Sequence, residues 1–213
     1  MSTEQPLAGV VIAGGYSTRF GDEDKAIADL AGTPMIRRVV DRLAGVADEL
    51  VVNCRDDQLE AVRTALEDCN REFESGPRFA TDPVEDRGPL AGIRVGFDAA
   101  TREYGAVVAC DMPFVDPALL ELLAERAHGR DGALVRLADG WFQPTQAVYR
   151  TDPMADACAD ALAESDGRVL AATERLDCVT VLESELEAAG IDPVTFESVD
   201  TREQLETATK RLS

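Results

Sequence analysis

Gly14 and Gly15 break an apolar run, and Arg19 and Lys25 follow six residues apart, in "VVIAGGYSTRFGDEDKA". Paired glycines let a backbone turn tightly and present N–H groups to an anion. Arg19 offers phosphate oxygens a planar fork and Lys25 a point charge. Lys25 is one of two lysines in the chain, among 21 basic residues. No Gly-Lys-Ser/Thr follows, so this is not a P-loop, and the spacing is not G-x-G-x-x-G. Phosphate binding stands against an ordinary strand-to-helix turn with surface cations. Asp111, in "VVACDMPFVD", comes straight after an apolar run, and Pro113 stiffens the exit. A carboxylate held there suits Mg²⁺ beside a triphosphate, or simply caps a turn. Asp82, in "FATDPVEDRGPLAGI", also follows a predicted strand. Gly88-Pro89-Leu90-Ala91-Gly92 would bring a helix N-terminus close to a ligand. Asn53 closes another strand, where its amide could read a base edge or a ribose.

The elements that would position these residues alternate. Residues 7–13, 49–54, 78–81 and 104–111 read as strands, the first and last without polar alternation and so buried on both faces. Residues 34–45, 56–69, 90–100 and 116–127 read as helices, with Asp116 as N-cap and Pro117 at the first helical position. Such repetition demands parallel pairing and right-handed crossovers. The expected fold is an α/β/α three-layer sandwich on a mostly parallel, Rossmann-like sheet, with ligands at the carboxyl ends of the strands. All four polar features fall at that edge. Beyond residue 130 the expected strands are 132–138, 144–150, 177–183 and 193–199, and the helices 154–164, 168–176 and 201–212. Thr201 and Gln204 are spaced as a capping box. The expectation is one domain over 1–213, with a nucleotide-binding half (1–128) and an acceptor-binding elaboration (129–213).

Composition narrows the function. There are 41 acidic residues against 21 basic, a formal charge of -20. Such a surface repels nucleic acid and anionic membranes, so neither is expected as a partner. The charge suits a binder of cations or basic partners, or a surface solvated for very salty cytoplasm. The even spread of acids favours the second and a halophilic source. No leader-like segment opens the chain and no long apolar run occurs, so the expected location is cytoplasmic. Five cysteines without C-x-x-C argue against a disulfide framework or a structural zinc site. One histidine, His128, at an expected helix C-terminus, makes a His base an unpromising mechanism.

The stretch "IAGGYSTRFGDEDKAIADLAGTPMIRRV" resembles the signature of the nucleotidyltransferases related to molybdenum cofactor guanylyltransferase. "GPLAGI" and "CDMPFV" resemble that family's downstream motifs, "QPTQAVY" a pterin-side segment, and "DGRVLAATERL" a basic helix near the second substrate. "SVDTREQLETA" resembles the closing signature, with Arg202 where Pro is usual; Phe20 stands where Met is common. The resemblance implies transfer of GMP from GTP to molybdopterin carrying molybdenum, with release of pyrophosphate. It implies that Ile12, Ala13, Gly14 and the adjoining Gly15 contact the nucleoside by backbone. It further implies that Arg19 and Lys25 hold phosphates, that Asn53 and Asp82 contact the nucleoside side, and that Asp111 binds Mg²⁺. Arg168 and Arg175 are candidate contacts for the pterin phosphate, or solvated helix surface. The rivals are a cytidylyltransferase for the same pterin, a guanylyltransferase acting on a cobinamide phosphate, a sugar-1-phosphate nucleotidyltransferase, and a non-catalytic nucleotide binder. The sequence leaves oligomeric state open.

Overall fold

The structure is a computed structural model that describes residues 6–15, 20, 24–71, 73, 75–81, 88–164 and 167–212. Its strands are β1 (Leu7–Ile12), β2 (Asp29–Leu30), β3 (Thr33–Pro34), β4 (Glu49–Cys54), β5 (Pro77–Thr81), β6 (Tyr104–Ala109), β7 (Gly132–Arg136), β8 (Gln146–Arg150) and β9 (Cys178–Leu182). Its α-helices are α1 (Met35–Leu43), α2 (Leu59–Ala65), α3 (Gly88–Ala99), α4 (Pro117–Ala127), α5 (Thr151–Ala163), α6 (Val169–Thr173), α7 (Glu183–Ala189) and α8 (Arg202–Leu212).

Seven strands form one sheet in the order β5-β4-β1-β6-β8-β7-β9. β8 pairs antiparallel with both its neighbours, and every other pairing in this sheet is parallel. Both halves of the chain therefore contribute to a single sheet, as the mostly parallel sandwich requires. Every residue of β1 and all of β6 but Ala109 are buried, which accounts for their lack of polar alternation.

Helices cover both faces. On one, Ile36, Val39 and Leu43 of α1 and Leu119 and Leu123 of α4 pack over Val11, Val52 and Val108. On the other, Leu90, Ile93 and Phe97 of α3 meet Val10 and Val107, with Met154 and Cys158 of α5 beside them. Each such side chain contributes roughly 1.5–3 kcal/mol relative to exposure, so a charge at Val11 would break the sheet before it touched any site. A smaller cluster of Phe20, Leu30, Met35, Val199 and Ala208 fastens α8 onto the β2–β3 hairpin at the carboxyl edge.

Capping follows the sequence. Asp116 accepts from Ala118 N at 2.9 Å, and Thr201 and Gln204 cap each other's backbone at 3.0 and 3.2 Å. One expectation needs correction, and one helix was not expected. Residues 193–199 are not a strand: Asp192 caps Val194 N at 2.9 Å and Pro193 starts a single 3-10 turn, Pro193–Phe196. Val194, Thr195 and Phe196 are residue types that favour strands, but a capping aspartate followed by proline wins locally. Residues 183–189 form α7, ended by Gly190 in the left-handed region. Among the described residues, no helix is long and apolar enough to cross a membrane.

Candidate functional site

The site is built where β1, β4 and β6 end. β1 stays paired with both neighbours past the last ladder residues: Cys110 N, just after β6, donates to the Ile12 carbonyl at 3.0 Å, and Ala13 N donates to the Asn53 carbonyl of β4 at 2.8 Å. The sheet thus uses backbone groups of Ile12 and Ala13, and both residues are buried. Gly14 is half-buried and Gly15 exposed, so the backbone opens to solvent at the glycine pair. After the undescribed stretch, Asp24 caps a 3-10 turn, Lys25–Ile27, by accepting from Ala26 N at 3.0 Å. That turn delivers the Lys25 side chain inward.

Lys25 Nζ donates to Asp111 Oδ2 and to Asp200 Oδ1, each at 2.7 Å. Only 11% of the lysine side chain is exposed, against 21% for Asp111 and 41% for Asp200. Burial alone would lower the Lys25 pKa, but the charges of Asp111 and Asp200 and their hydrogen bonds outweigh it and hold it above the usual lysine value. The ammonium therefore stays charged throughout the neutral range. Asp111 is fixed by the strand end before it and by the turn in which Met112 N donates to the Ala109 carbonyl at 3.1 Å.

Asp200 is the site residue that sequence reasoning missed. Its segment is sewn onto the loop after β6, with Val199 N donating to the Asp111 carbonyl at 2.8 Å. Its own N–H donates to Gln204 Oε1 at 2.7 Å, and Ser198 Oγ donates to its Oδ2 at 2.5 Å. The buried Thr195 hydroxyl, which accepts from Asp116 N at 2.9 Å and from Gln146 Nε2 at 2.6 Å, ties the approach to the sheet. The available signal was position: Asp200 stands immediately before the Thr201 cap in the closing motif.

Asn53 lies at the end of β4, as expected, and is wholly buried. Its Nδ2 donates to the Ala80 carbonyl at 3.2 Å, and its side chain lies against Gly92 of α3. A Cβ at Gly92 would sit 2.3 Å from Asn53 Oδ1. The amide joins β4, β5 and α3. Gly92 and Gly96 bring α3 onto the sheet, since a Cβ at Gly96 would sit 2.5 Å from Val10. Arg19 and Asp82 fall outside the described residues. Arg175 is spent at the α5–α6 junction on Glu164 (2.5 Å) and the Ala171 carbonyl, whereas Arg168 is exposed at the start of α6. His128 caps the C-terminus of α4, which runs back to the amino edge of the sheet.

The arrangement pairs an anion-accessible glycine turn with a charged lysine between two carboxylates, and this suits polyphosphate chemistry. Known proteins point the same way. The family model described as the MobA-like NTP transferase domain matches residues 9–179. A probable molybdenum cofactor guanylyltransferase of Natronomonas pharaonis is 49% identical over 205 residues, covering 96% of this chain and 98% of that protein. A molybdenum cofactor guanylyltransferase of Desulfosudis oleivorans is 30% identical, covering 95% and 94%. Among solved structures, molybdopterin-guanine dinucleotide biosynthesis protein A of Archaeoglobus fulgidus has the same fold. Its TM-score is 0.75 at 24% identity, covering 97% of this chain and 98% of that one.

Proposed function

The chain belongs to the MobA-like NTP transferase family, and from that premise we propose that it transfers GMP from GTP to molybdopterin carrying molybdenum, releasing pyrophosphate. The observation that carries this reading is the Lys25 ammonium held at 2.7 Å between Asp111 and Asp200 at the carboxyl edge of the sheet.

In the reaction a terminal phosphate oxygen of the pterin attacks the α-phosphorus of GTP. The new P–O bond forms as the bond to the β-phosphate oxygen breaks, and the electron pair leaves with pyrophosphate. A phosphomonoester is largely ionised near neutral pH, with a second pKa of about 6, so the attacking oxygen needs no strong base. The position of His128 at the opposite edge is consistent with that. What the protein must supply is positioning and compensation of growing negative charge. Gly14 and Gly15 offer backbone close to the phosphates, and Lys25 offers a permanent charge. Arg19 and Asp82 are proposed as further phosphate and nucleoside contacts. Residues 129–213 are proposed to carry the acceptor side, with Asp200 reaching back to the nucleotide half.

Asp111 and Asp200 also fit a divalent cation. Both offer hard oxygen donors, and among the described residues no group of three or more His, Cys, Asp or Glu could enclose an ion. Two carboxylates that leave room for phosphate oxygens and water suit Mg²⁺. Charge argues likewise. The Lys25–Asp111–Asp200 triad is net negative, and like charges about 4 Å apart repel by about 4 kcal/mol at an effective dielectric of 20. A bare triphosphate is therefore disfavoured and a metal complex favoured. Bound there, Mg²⁺ would neutralise charge on the departing pyrophosphate.

The test is pyrophosphate release by purified protein in high salt with Mg²⁺ and molybdenum-loaded molybdopterin, comparing GTP, CTP and ATP. Release with GTP is expected. Release with CTP alone would move the base assignment, and silence with all three from protein that binds nucleotide would overturn the reading.

A further inference from the structure

Arg55, just past β4, belongs to none of the motifs above, yet its side chain is only 14% exposed and touches the nucleotide loop at both ends. Its Nη1 donates to the Gly15 carbonyl at 3.0 Å. Its Nη2 lies 3.7 Å from Asp24 Oδ2, the carboxylate that caps the Lys25 turn. Asp57 braces the other side of the guanidinium, at 3.0 Å from Nε and 3.3 Å from Nη2. Gln58, itself buried, completes the frame: its Nε2 donates to Asp24 Oδ2 at 2.5 Å, and its Oε1 accepts from Arg55 N at 2.9 Å. One planar cation thus joins the residue where the glycine pair meets solvent to the turn that aims Lys25.

We propose that Arg55 is a positioning residue that clasps the two ends of the phosphate-binding loop, fixing the distance between the Gly14–Gly15 backbone and Lys25 before nucleotide arrives. The inference rests on the nucleotidyl-transfer reading for the identity of the anion. Two physical effects follow from the contacts. The loop ends cannot separate without breaking a charge-assisted hydrogen bond, so less ordering is left to be done on binding. Arg55 and Gln58 also occupy the Asp24 carboxylate, which would otherwise present an uncompensated negative charge beside the triphosphate. Asp24 cannot draw Lys25 away from the site while it is held this way. The fork matters because one guanidinium nitrogen bonds the Gly15 carbonyl while another stands 3.7 Å from Asp24 as an ion pair, a spread that a single lysine nitrogen does not cover.

The experiment compares wild type, Arg55→Met, Arg55→Lys and Asp24→Asn. Hydrogen exchange at the amides of Ala26, Ile27 and Ala28 is read without ligand, and Mg·GTP affinity and turnover are read separately. Arg55→Met is expected to speed exchange in that turn and to raise Kd and KM for GTP about tenfold, the worth of one charge-assisted hydrogen bond, with kcat within about threefold of wild type. Arg55→Lys should fall between them. Asp24→Asn keeps a capping oxygen and removes the charge that holds Arg55, so it covers the case in which Arg55→Met does not fold, and it should speed exchange in the same turn. Unchanged exchange and unchanged KM in a folded Arg55→Met, or unchanged exchange in Asp24→Asn, would overturn the clasp. The exchange readout judges the clasp even if wild type proves not to bind GTP, which would overturn the functional reading instead.

Discussion

Lys25 and Asp200 lie 175 positions apart in the chain, yet the lysine ammonium stands 2.7 Å from the aspartate Oδ1, the same distance that separates it from Asp111 Oδ2. A residue of the first strand–loop unit and a residue at the threshold of the last helix therefore share one hydrogen-bonded centre. The C-terminal segment completes the site as well as closing the fold.

Substitution separates the three partners. Lys25→Ala and Asp111→Ala are each expected to abolish turnover while circular dichroism shows the fold intact. Asp200→Ala should lower kcat/KM by roughly 10²–10³, the usual cost of removing one group from a charge-stabilising site. Direct Mn²⁺ titration should show weaker binding in Asp111→Ala and Asp200→Ala. Near-wild-type rates in any of the three would remove that residue from the site.

The sign of the lysine shift sets the pH dependence. The folded pKa is raised, so the contribution of the triad is fully present below the unfolded lysine value of about 10.4 and is lost as pH climbs through the higher folded value. Between pH 6 and 9 Lys25 should impose no titration on GTP affinity. Above about pH 10.4 wild type should lose stability faster than Lys25→Met. Parallel alkaline melting curves for the two proteins would contradict the pairing.

Burial pushes the thiols of Cys158 and Cys178 up to about 12 and that of Cys110 higher still, and none of the five cysteines is in a disulfide. Thiolate is the reactive form, so native protein at pH 8 should take up iodoacetamide slowly and keep its turnover, whereas unfolded protein should take up five labels. Fast native labelling with loss of activity would point instead to a reactive thiol near the site.

The glycine pair, Lys25 and Asp111 were legible because each sits at a strand end announced by an unbroken apolar run. Asp200 was not, because no short-range pattern links it to Lys25, and its neighbours Thr201 and Gln204 already had a sufficient explanation as a cap. Asn53 was placed correctly at a strand end, but strand-end position says where a side chain is, not whether a helix will cover it. Helix α7 offers one buried apolar residue, Leu186, too little for a periodic stripe. The β2–β3 hairpin has two residues per strand and leaves no alternation to read.

That covering helix gives the last test. Gly92→Ala places a Cβ 2.3 Å from Asn53 Oδ1 and 3.2 Å from an Ile12 methyl. Asn53 cannot retreat without giving up the Ala80 carbonyl, and Ile12 is locked in β1, so α3 must lift from the sheet. Overpacking of this kind costs about 1–3 kcal/mol, and the Gly88 end of α3, beside the site, should shift with it and raise KM for GTP. The cause can be isolated by a double-mutant cycle. Trimming the neighbour in Asn53→Ala makes room, so adding Gly92→Ala to that background should cost clearly less than it does in wild type. Equal costs in the two backgrounds would show that the helix dislikes the substitution for some reason other than Asn53.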